Sequence, residues 1–450
     1  MTQAAARTDE GWSRLHPLTP LLRGGRFVIV LFAVLGQQGL RAAEPVLLAA
    51  VLGLGVPAAV LAGWLSWRAM RYRLTPTELQ VESGVLTTRS RRVPLARLQS
   101  VDVVRPLLAR LLGLAELRME VVGGGAGAEA PLSYLSEDDA EALRVRLLQL
   151  ASGGAAPDAG HVEPPERVLV VVPGGPLVWS TLLGAPVQAV VALLVVGGVV
   201  AAVDLSYVPG LLLASLPLLF GVASFAVRRI LTEYGFTVAE AADGLRLQQG
   251  LLDKRSSTIP PGRVQTVRTS QPLLWRPFGW VRVEVDVAGY GAGGGEQQPS
   301  TGALLPVAPQ DLAERLVARV LGGPLPLADV RPPRAARLRA PASYRRLALG
   351  LDDRHLVSAY GIATTTTDVV PLAKVQSLRL TQGPLQRRLG LSSVHVDTAG
   401  RRLPGTVALH RGDAEGRVLL GELTERAKVA RAVDAGEVGR AAAPSGPAAP

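Results

Sequence analysis

Few residues of this chain have side chains that could carry out covalent chemistry. The 450 residues include no cysteine, which excludes disulfides, thiolate nucleophiles and cysteine-ligated metals. The histidines are scattered, without the paired spacing of metal ligands: His16, His161, His355, His395 and His410. We therefore expect neither a metal nor a cofactor.

Three acidic residues, Glu120, Asp286 and Asp397, hold equivalent places in three similar segments. One acid in each segment does not supply the acid–base pair that hydrolases use. Their recurrence favours a structural role, such as a carboxylate that binds the backbone of a loop, over contact with a ligand. The sequence therefore predicts that the protein is not an enzyme.

A glycine-rich run, GGGAGA at 123–128, follows a predicted strand and could form a phosphate-binding loop. The equivalent places read AGYGAGGGE at 288–296 and AGRR at 399–402, and neither keeps the glycine spacing. This difference favours a hairpin loop between antiparallel strands.

Arginine is the strongest functional signal in the composition. The formal charge is +11, and Lys254, Lys374 and Lys428 are the only lysines. Such a balance indicates an anionic partner, either nucleic acid or a phospholipid surface, and a mean hydropathy of +0.27 favours the membrane. We predict no nucleic-acid partner.

Arginines cluster in two kinds of place. Arg89, Arg91 and Arg92 crowd one predicted strand, and the segment 331–346 holds six arginines and no acid. That segment could be a solvated linker or could dock on anionic lipid, where each surface arginine contributes about 1 kcal/mol. The candidate lipid contacts are Arg68, Arg71, Arg73, Arg228, Arg229, Arg331, Arg334, Arg337 and Arg339.

Four apolar stretches could place these arginines at a membrane. Val46–Trp67, Leu177–Val203 and Val208–Val227 carry no charge and reach the roughly 20 residues that span a bilayer. The stretch 27–40 is marginal by length, so whether 27–43 fully crosses stays open, and a cleaved signal peptide is its alternative. Short gaps join the stretches into two hairpins.

The distribution of arginine orients both hairpins. Arginines precede and follow each hairpin, whereas the hairpin loops contain only Arg41. The positive-inside rule then predicts a multi-pass protein of the bacterial inner membrane with both termini in the cytoplasm.

A motif recurs three times: VPLARLQSV at 93–101, IPPGRVQTV at 259–267 and VPLAKVQSL at 370–378. Each copy has a glycine nine positions before it and a second glycine twenty-nine positions after the first. This constant spacing defines a structural repeat rather than a catalytic motif. Its marker residues are Gly84, Gln99 and Gly113; Gly250, Gln265 and Gly279; Gly361, Gln376 and Gly390.

The repeat has a readable secondary structure. LRMEVV, VRVEVDV and VHVDT alternate apolar and polar residues and predict strands with one buried face. Each repeat closes with an amphipathic helix, the first beginning at Ser136 as N-cap. We expect an α+β protein: three small β-barrels or sandwiches, each capped by a C-terminal helix, plus two transmembrane hairpins.

The repeat resembles the bacterial pleckstrin-homology-like domain of the YdbS/YdbT type. The resemblance rests on the glycine, the IPL-x-[RK]-x-Q-[ST] motif, the proline-led turn and the D-x-A-G strand end. The resemblance implies a bent seven-stranded sheet capped by a helix at the inner face of a bacterial membrane. It also implies a loose association with envelope stress. The third repeat differs in having no membrane hairpin before it.

These observations predict nine segments along the chain. They are a cytoplasmic N-terminal segment (1–26), hairpin 1 (27–67), domain 1 (68–150), a linker (151–176), hairpin 2 (177–227), domain 2 (228–321), a basic Pro-rich linker (322–343), domain 3 (344–430) and a disordered tail (431–450).

Two functions from different classes are compatible with this organisation. The first is a scaffold whose three cytoplasmic domains bind protein or anionic phospholipid headgroups. The alternative is a transporter or channel subunit with regulatory domains, which the absence of charged residues within the predicted spans disfavours. The sequence leaves the ligand, the partner and the oligomeric state open.

Overall fold

The computed structural model describes residues 12–17, 19, 61, 64–84, 88–95, 98–121, 130–151, 167–241, 244–259, 262–287, 302–400, 403 and 405–442. The chain divides into two compact units, which we describe separately. Unit 1 comprises 1–163, 252–258 and 292–294, and unit 2 comprises the rest. Predicted hairpin 1 lies outside the described residues, apart from 61 and 64–67.

Unit 1 contains the first repeat as two antiparallel half-sheets and a helix. Its elements are β1 (Ser13–Arg14), β2 (Arg71–Leu74), β3 (Glu78–Ser83), β4 (Arg89–Pro94), β5 (Leu98–Arg105), α1 (Leu107–Leu111), β6 (Leu114–Val121), β7 (Ala130–Ser136) and α2 (Glu137–Ala151). The strands β1 to β4 form one sheet in chain order, and β5 to β7 form the other half.

The two half-sheets and α2 of unit 1 enclose one hydrophobic core. Leu79 from the first half, Leu117 from the second and Leu147 from α2 are all buried in it. Ser136 begins the helix as predicted, because its Oγ accepts a hydrogen bond from the backbone N–H of Asp139 at 3.1 Å. Leu117 and Met119 confirm the alternation predicted for β6.

Unit 2 begins with a strand and three helices. They are β8 (Arg167–Val171), α3 (Gly174–Leu182), α4 (Ala185–Val203) and α5 (Val208–Glu233). Within the described residues, α4 and α5 are the two helices long and apolar enough to cross a membrane. A Cβ at Gly197 would collide with the side chain of Leu211, so this glycine permits α4 and α5 to pack closely.

The stretch 177–203, which we expected as one membrane span, is two helices. The chain turns at Leu183 and Gly184, where Gln188 Nε2 donates to the carbonyl of Leu183 at 2.7 Å, and Pro186 lies at the start of α4. Leu177 is buried in the core of the second repeat. The span therefore begins about ten residues later than predicted, because the residues before it serve a protein core.

The rest of the second repeat follows α5. It comprises β9 (Thr237–Ala241), β10 (Gly244–Gln249), β11 (Lys254–Ile259), β12 (Val264–Pro272), a 3₁₀ turn (Leu273–Phe278), β13 (Trp280–Val287), β14 (Ala303–Pro309) and α6 (Gln310–Val320).

The third repeat has the same order of elements. It comprises α7 (Ala336–Arg339), β15 (Ala348–Leu351), β16 (His355–Tyr360), β17 (Thr364–Pro371), β18 (Val375–Thr381), α8 (Pro384–Arg388), β19 (Leu391–Thr398), β20 (Thr406–Gly412) and α9 (Asp413–Ala442).

Strand pairing crosses from one repeat to the next. The strands that contain the glutamine of the repeated motif, β5, β12 and β18, are called the motif strands. The strands that precede them, β4, β11 and β17, are called the leading strands. β12 pairs with β13 on one side and with leading strand β17 of the third repeat on the other. In unit 1, β5 pairs in the same way with β6 and with Lys254–Ser256 of β11.

This pairing differs from the expectation that each repeat holds a closed barrel or a sheet of its own. Each repeat does enclose a core: Phe236, Val283 and Leu304 lie in that of the second, and Leu356 and Val394 in that of the third. The sheet edges of β5 and β12, however, are completed by a strand of the following repeat, which satisfies backbone groups that would otherwise be exposed.

The tail predicted to be disordered from 431 is helical as far as Ala442. Lys374 Nζ lies 2.7 Å from Asp434 Oδ2 and links the helix extension to the third repeat. The small residues of the tail favour disorder, but its alanine, glutamate and arginine residues favour helix once a preceding helix has nucleated. Residues 443–450 lie outside the described part.

Candidate interaction surfaces

The marker glycines of the repeats adopt the same backbone conformation at equivalent positions. The first glycine of each repeat has φ of 113°, 105° and 113°, at Gly84, Gly250 and Gly361. The second has φ of 67°, 62° and 62°, at Gly113, Gly279 and Gly390. Because side chains disfavour positive φ, these glycines shape turns of the fold.

The marker glutamines differ in environment. Gln265 is buried and its Nε2 donates to the carbonyl of Arg263 at 3.2 Å, whereas Gln376 is exposed. The side chain of Gln99 lies outside the description.

Two of the recurring acids bind neighbouring groups of the chain. Asp286 is buried and its Oδ2 accepts a hydrogen bond from the backbone N–H of Leu403, at 3.0 Å. Asp397 is more exposed and accepts from Arg379 and from Ser377. The hydrogen bond from Arg379 lowers the pKa of Asp397 below its ordinary value. The side chain of Glu120 lies outside the description.

A buried ion pair joins the second and third repeats. Arg268 Nε and Nη2 donate to the two oxygens of Asp368 at 2.7 and 2.8 Å. Asp368 is fully buried and also accepts from the hydroxyl of Tyr360 at 3.0 Å. Burial and the Asp368 charge both raise the pKa of Tyr360, which keeps this hydroxyl a donor.

Sequence reasoning missed this ion pair. Arg268 and Asp368 are 100 residues apart in the sequence. Each is the single charged residue of its strand. The signal that could have found it is the position of Arg268, three residues after the motif glutamine, where Arg379 recurs in the third repeat.

A cavity of about 480 Å³ lies beside this junction. Its lining combines α6, the strands β12 and β17 and the segment 325–328, and includes Gln310, Glu314 and Thr367. The lining side chains are mixed in polarity, and the charged ones are Glu314 and Arg315.

The basic segment 331–346 lies against the third repeat. Val330 exchanges backbone hydrogen bonds with Leu349 at 2.9 and 3.0 Å, and Arg411 Nη2 donates to the carbonyl of Val330 at 2.8 Å. Tyr344 donates to the carbonyl of Pro332 at 3.3 Å. The contacts of Val330 join the start of the segment to the third repeat, and the Tyr344 hydrogen bond joins the two ends of the segment to each other.

Four predicted lipid contacts within this segment are exposed and lie on or before α7: Arg331, Arg334, Arg337 and Arg339. Leu338, between two of them, is 76% exposed. An exposed apolar side chain therefore lies between exposed arginines on this short helix.

The predicted lipid contacts next to the membrane helices differ in the exposure and the partners of their side chains. Arg228 is exposed, and Arg68 lies 5.5 Å from the ring centroid of Trp64. Arg71 is bound to Glu82 at 2.8 Å, and Arg73 is partly buried. Arg229 is 14% exposed and lies between Glu233 and the ring of Trp275, so its lipid contact stays a prediction.

The membrane helix α5 is fixed to the second repeat at its last residue. Glu233 is buried and accepts from Arg282 Nη2 at 2.8 Å and from Arg229 Nε at 3.1 Å. Arg282 belongs to β13, so a carboxylate at the end of the helix is bound to the sheet of the second repeat. Charge-assisted bonds of this kind hold the helix and the sheet as one piece.

No group of three His, Asp or Glu residues that could hold a metal ion occurs among the described residues.

Comparisons with known proteins agree with the repeat. The sequence model of the family described as Bacterial PH domain matches residues 27–151, 186–324 and 325–427. The chain is 24% identical over 270 residues to the UPF0699 transmembrane protein YdbT of Bacillus subtilis (strain 168). That match covers 54% of this chain and 54% of the relative, so the chain spans about half of the relative's length. No solved structure matches the chain.

Proposed function

Because the chain belongs to the bacterial PH domain family, we propose that it is a membrane-anchored, non-enzymatic scaffold whose three modules bind protein or anionic lipid in the cytoplasm. One observation carries this proposal: the membrane helix α5 is bound through Glu233 to a module whose sheet continues into the next repeat. Such contacts hold the helix and the sheets of the two repeats in fixed positions, which a scaffold needs and which requires no catalytic group.

We further propose that the exposed arginines at 331–339 dock on anionic phospholipid. Four exposed arginines around Leu338, on a segment held against the third repeat, support this role. At about 1 kcal/mol for each arginine near an anionic surface, the segment would contribute a few kcal/mol.

The lipid proposal is tested with the full chain in nanodiscs of zwitterionic lipid or of a mixture with anionic lipid. Amide hydrogen exchange of 331–346 is expected to slow in the anionic discs and to lose that difference in R337Q/R339Q. The matched control R387Q/R388Q removes two exposed arginines of α8 and should change nothing. Equal exchange in both discs would refute lipid docking.

The proposed orientation, with modules and termini in the cytoplasm of a bacterial inner membrane, needs its own test. A reporter enzyme active only in the cytoplasm should work at the C-terminus and fail in the loop 204–207. Activity in that loop would overturn the orientation.

A role in envelope-stress response rests on the family resemblance alone. A deletion strain is expected to be more sensitive to agents that damage the cell envelope, and unchanged sensitivity would argue against the role.

A further inference from the structure

The motif strand of the third repeat lacks the neighbour that the other motif strands have. β18 pairs with β19 on one side. On its other side, within the described part of the chain, it pairs with no strand, and its sheet ends there. Gln376, Ser377, Arg379 and Thr381 are exposed along it.

The two occupied junctions use one register. At the second junction Thr269 lies opposite Thr367 and Ser270 opposite Thr366. At the first junction the equivalent residues pair identically: Val103 lies opposite Ser256, and Val104 opposite Arg255. A motif strand therefore receives a leading strand in a fixed alignment, and the same alignment can be applied to β18.

This alignment specifies the chemistry of an incoming strand. Arg379 of β18 holds the place of Arg268, which at the second junction is bound to Asp368. A strand that adds to β18 in this register places one side chain opposite Arg379. A carboxylate there would form the cross-strand pair that the second junction has, and small hydroxyl side chains like those of β17 would fit beside it.

The leading strand of the first repeat is a poor occupant. In the shared register β4 would place Arg91 opposite Arg379 and Arg92 opposite Leu378. Like charges directly opposite each other destabilise a strand pair. The leading strands β11 and β17 are already paired with β5 and β12, so β4 is the leading strand that a second copy would offer. Because its charges disfavour that addition, the occupant is inferred to be a different polypeptide.

We propose that β18 is a docking site for the leading strand of a PH-like module on a separate protein, added antiparallel with an acidic residue opposite Arg379. Strand addition of this kind obtains affinity from backbone hydrogen bonds and specificity from the facing side chains. Until the partner arrives, Asp397 binds Arg379 at 2.9 and 3.1 Å and holds the guanidinium on its own sheet. The inference rests on the scaffold proposal, whose partner it specifies, but not on lipid docking.

The test uses the full chain in detergent and synthetic peptides as probes. One peptide has the sequence of residues 362–372, IATTTTDVVPL, and the matched peptide has that of 85–95, VLTTRSRRVPL. The first should slow amide exchange of residues 375–381. The 85–95 peptide, and the first peptide with Asp368→Lys, should bind roughly tenfold more weakly. Exchange in β12 should not change, because that edge is already occupied.

A charge reversal sharpens the result. In the R379E variant the preference should invert, so that the Asp368→Lys peptide protects 375–381 better than the unchanged one. The variant's unfolding temperature, measured in parallel, shows whether it remains folded. R337Q/R339Q should leave the peptide effects intact, which separates failure of this site from failure of lipid docking.

Three outcomes would overturn the proposal. They are no slowing at 375–381 with millimolar 362–372 peptide, equal protection by both peptides, and stronger protection by the 85–95 peptide, which would identify a second copy as the occupant.

Discussion

The strands β12 and β18 occupy the same place in successive repeats and begin with the same motif, but their environments differ. The side chain of Arg268 on β12 is 12% exposed, and its partner Asp368 on the neighbouring strand β17 is fully buried. Arg379 on β18 is 61% exposed and binds Asp397, which is 33% exposed. The same residue type at the same position thus forms a junction in one repeat and a surface in the next.

Burial raises the free-energy cost of losing one partner of an ion pair. A buried pair cannot lose one partner without leaving the other charge unsolvated, whereas an exposed pair exchanges its partner for water. The following four variants and conditions test that contrast, in order of expected effect.

Asp368→Ala is expected to lower the free energy of unfolding by about 3–5 kcal/mol, because Arg268 and the Tyr360 hydroxyl then lose a buried acceptor. Denaturant unfolding in detergent, followed by near-ultraviolet circular dichroism, measures the change. The double variant R268M/D368L should recover most of the loss, since it removes both charges. A loss below about 1 kcal/mol would mean that the junction is solvated.

Gly361→Ala should weaken the same junction by about 1–3 kcal/mol. Gly361 has φ of 113°, and a Cβ there would collide with the carbonyl of Thr364, at the turn that leads into β17. The same unfolding measurement applies. Gly421→Ala is the matched control, because that helical glycine has open space around it. Equal stability of the two variants would contradict a strained turn.

Asp397→Asn, at the exposed edge, is expected to leave the unfolding midpoint unchanged within error, because an exposed pair contributes little. Comparison with Asp368→Ala under identical conditions gives the contrast directly. A loss similar to that of Asp368→Ala would show that β18 is covered in the isolated protein.

The smallest effect is expected from pH. Arg379 lowers the pKa of Asp397, so the pair's contribution is complete above the ordinary carboxyl pKa of about 3.9 and is lost as pH falls through the lower folded value. Nuclear magnetic resonance titration of the carboxyl carbon should report a pKa below the ordinary value and a return toward it in R379Q. An ordinary pKa in the unchanged protein would contradict the pair.

The candidate surfaces were only partly predictable. The exposed arginines at 331–339 could be read from the sequence because a run of like charge with no acid is necessarily directed to solvent or to an anion. The ion pair of Arg229 with Glu233, one helical turn further on, was not predicted, and the lipid contact of Arg229 stays a prediction. The Arg268–Asp368 pair was not found, because no local pattern links residues so far apart.

Elements that depend on local or periodic information could be predicted from the residue order alone. These are the three repeats, the turn glycines, the buried alternation of Val283 and Val285, and the apolar hairpin of α4 and α5. Period-two alternation sets which face of a strand is buried, and apolar length sets what can span a bilayer.

The neighbours of each strand, by contrast, became known from the folded chain. A strand's pattern specifies its faces but leaves its two edges equivalent, so a motif strand could close on its own repeat or pair with the next. The structure pairs β12 with β17, where long-range contacts bury Asp368 against Arg268, and leaves β18 as the end of its sheet. Edge pairing is settled by backbone groups that every residue carries, and for that reason the residue types could not reveal it.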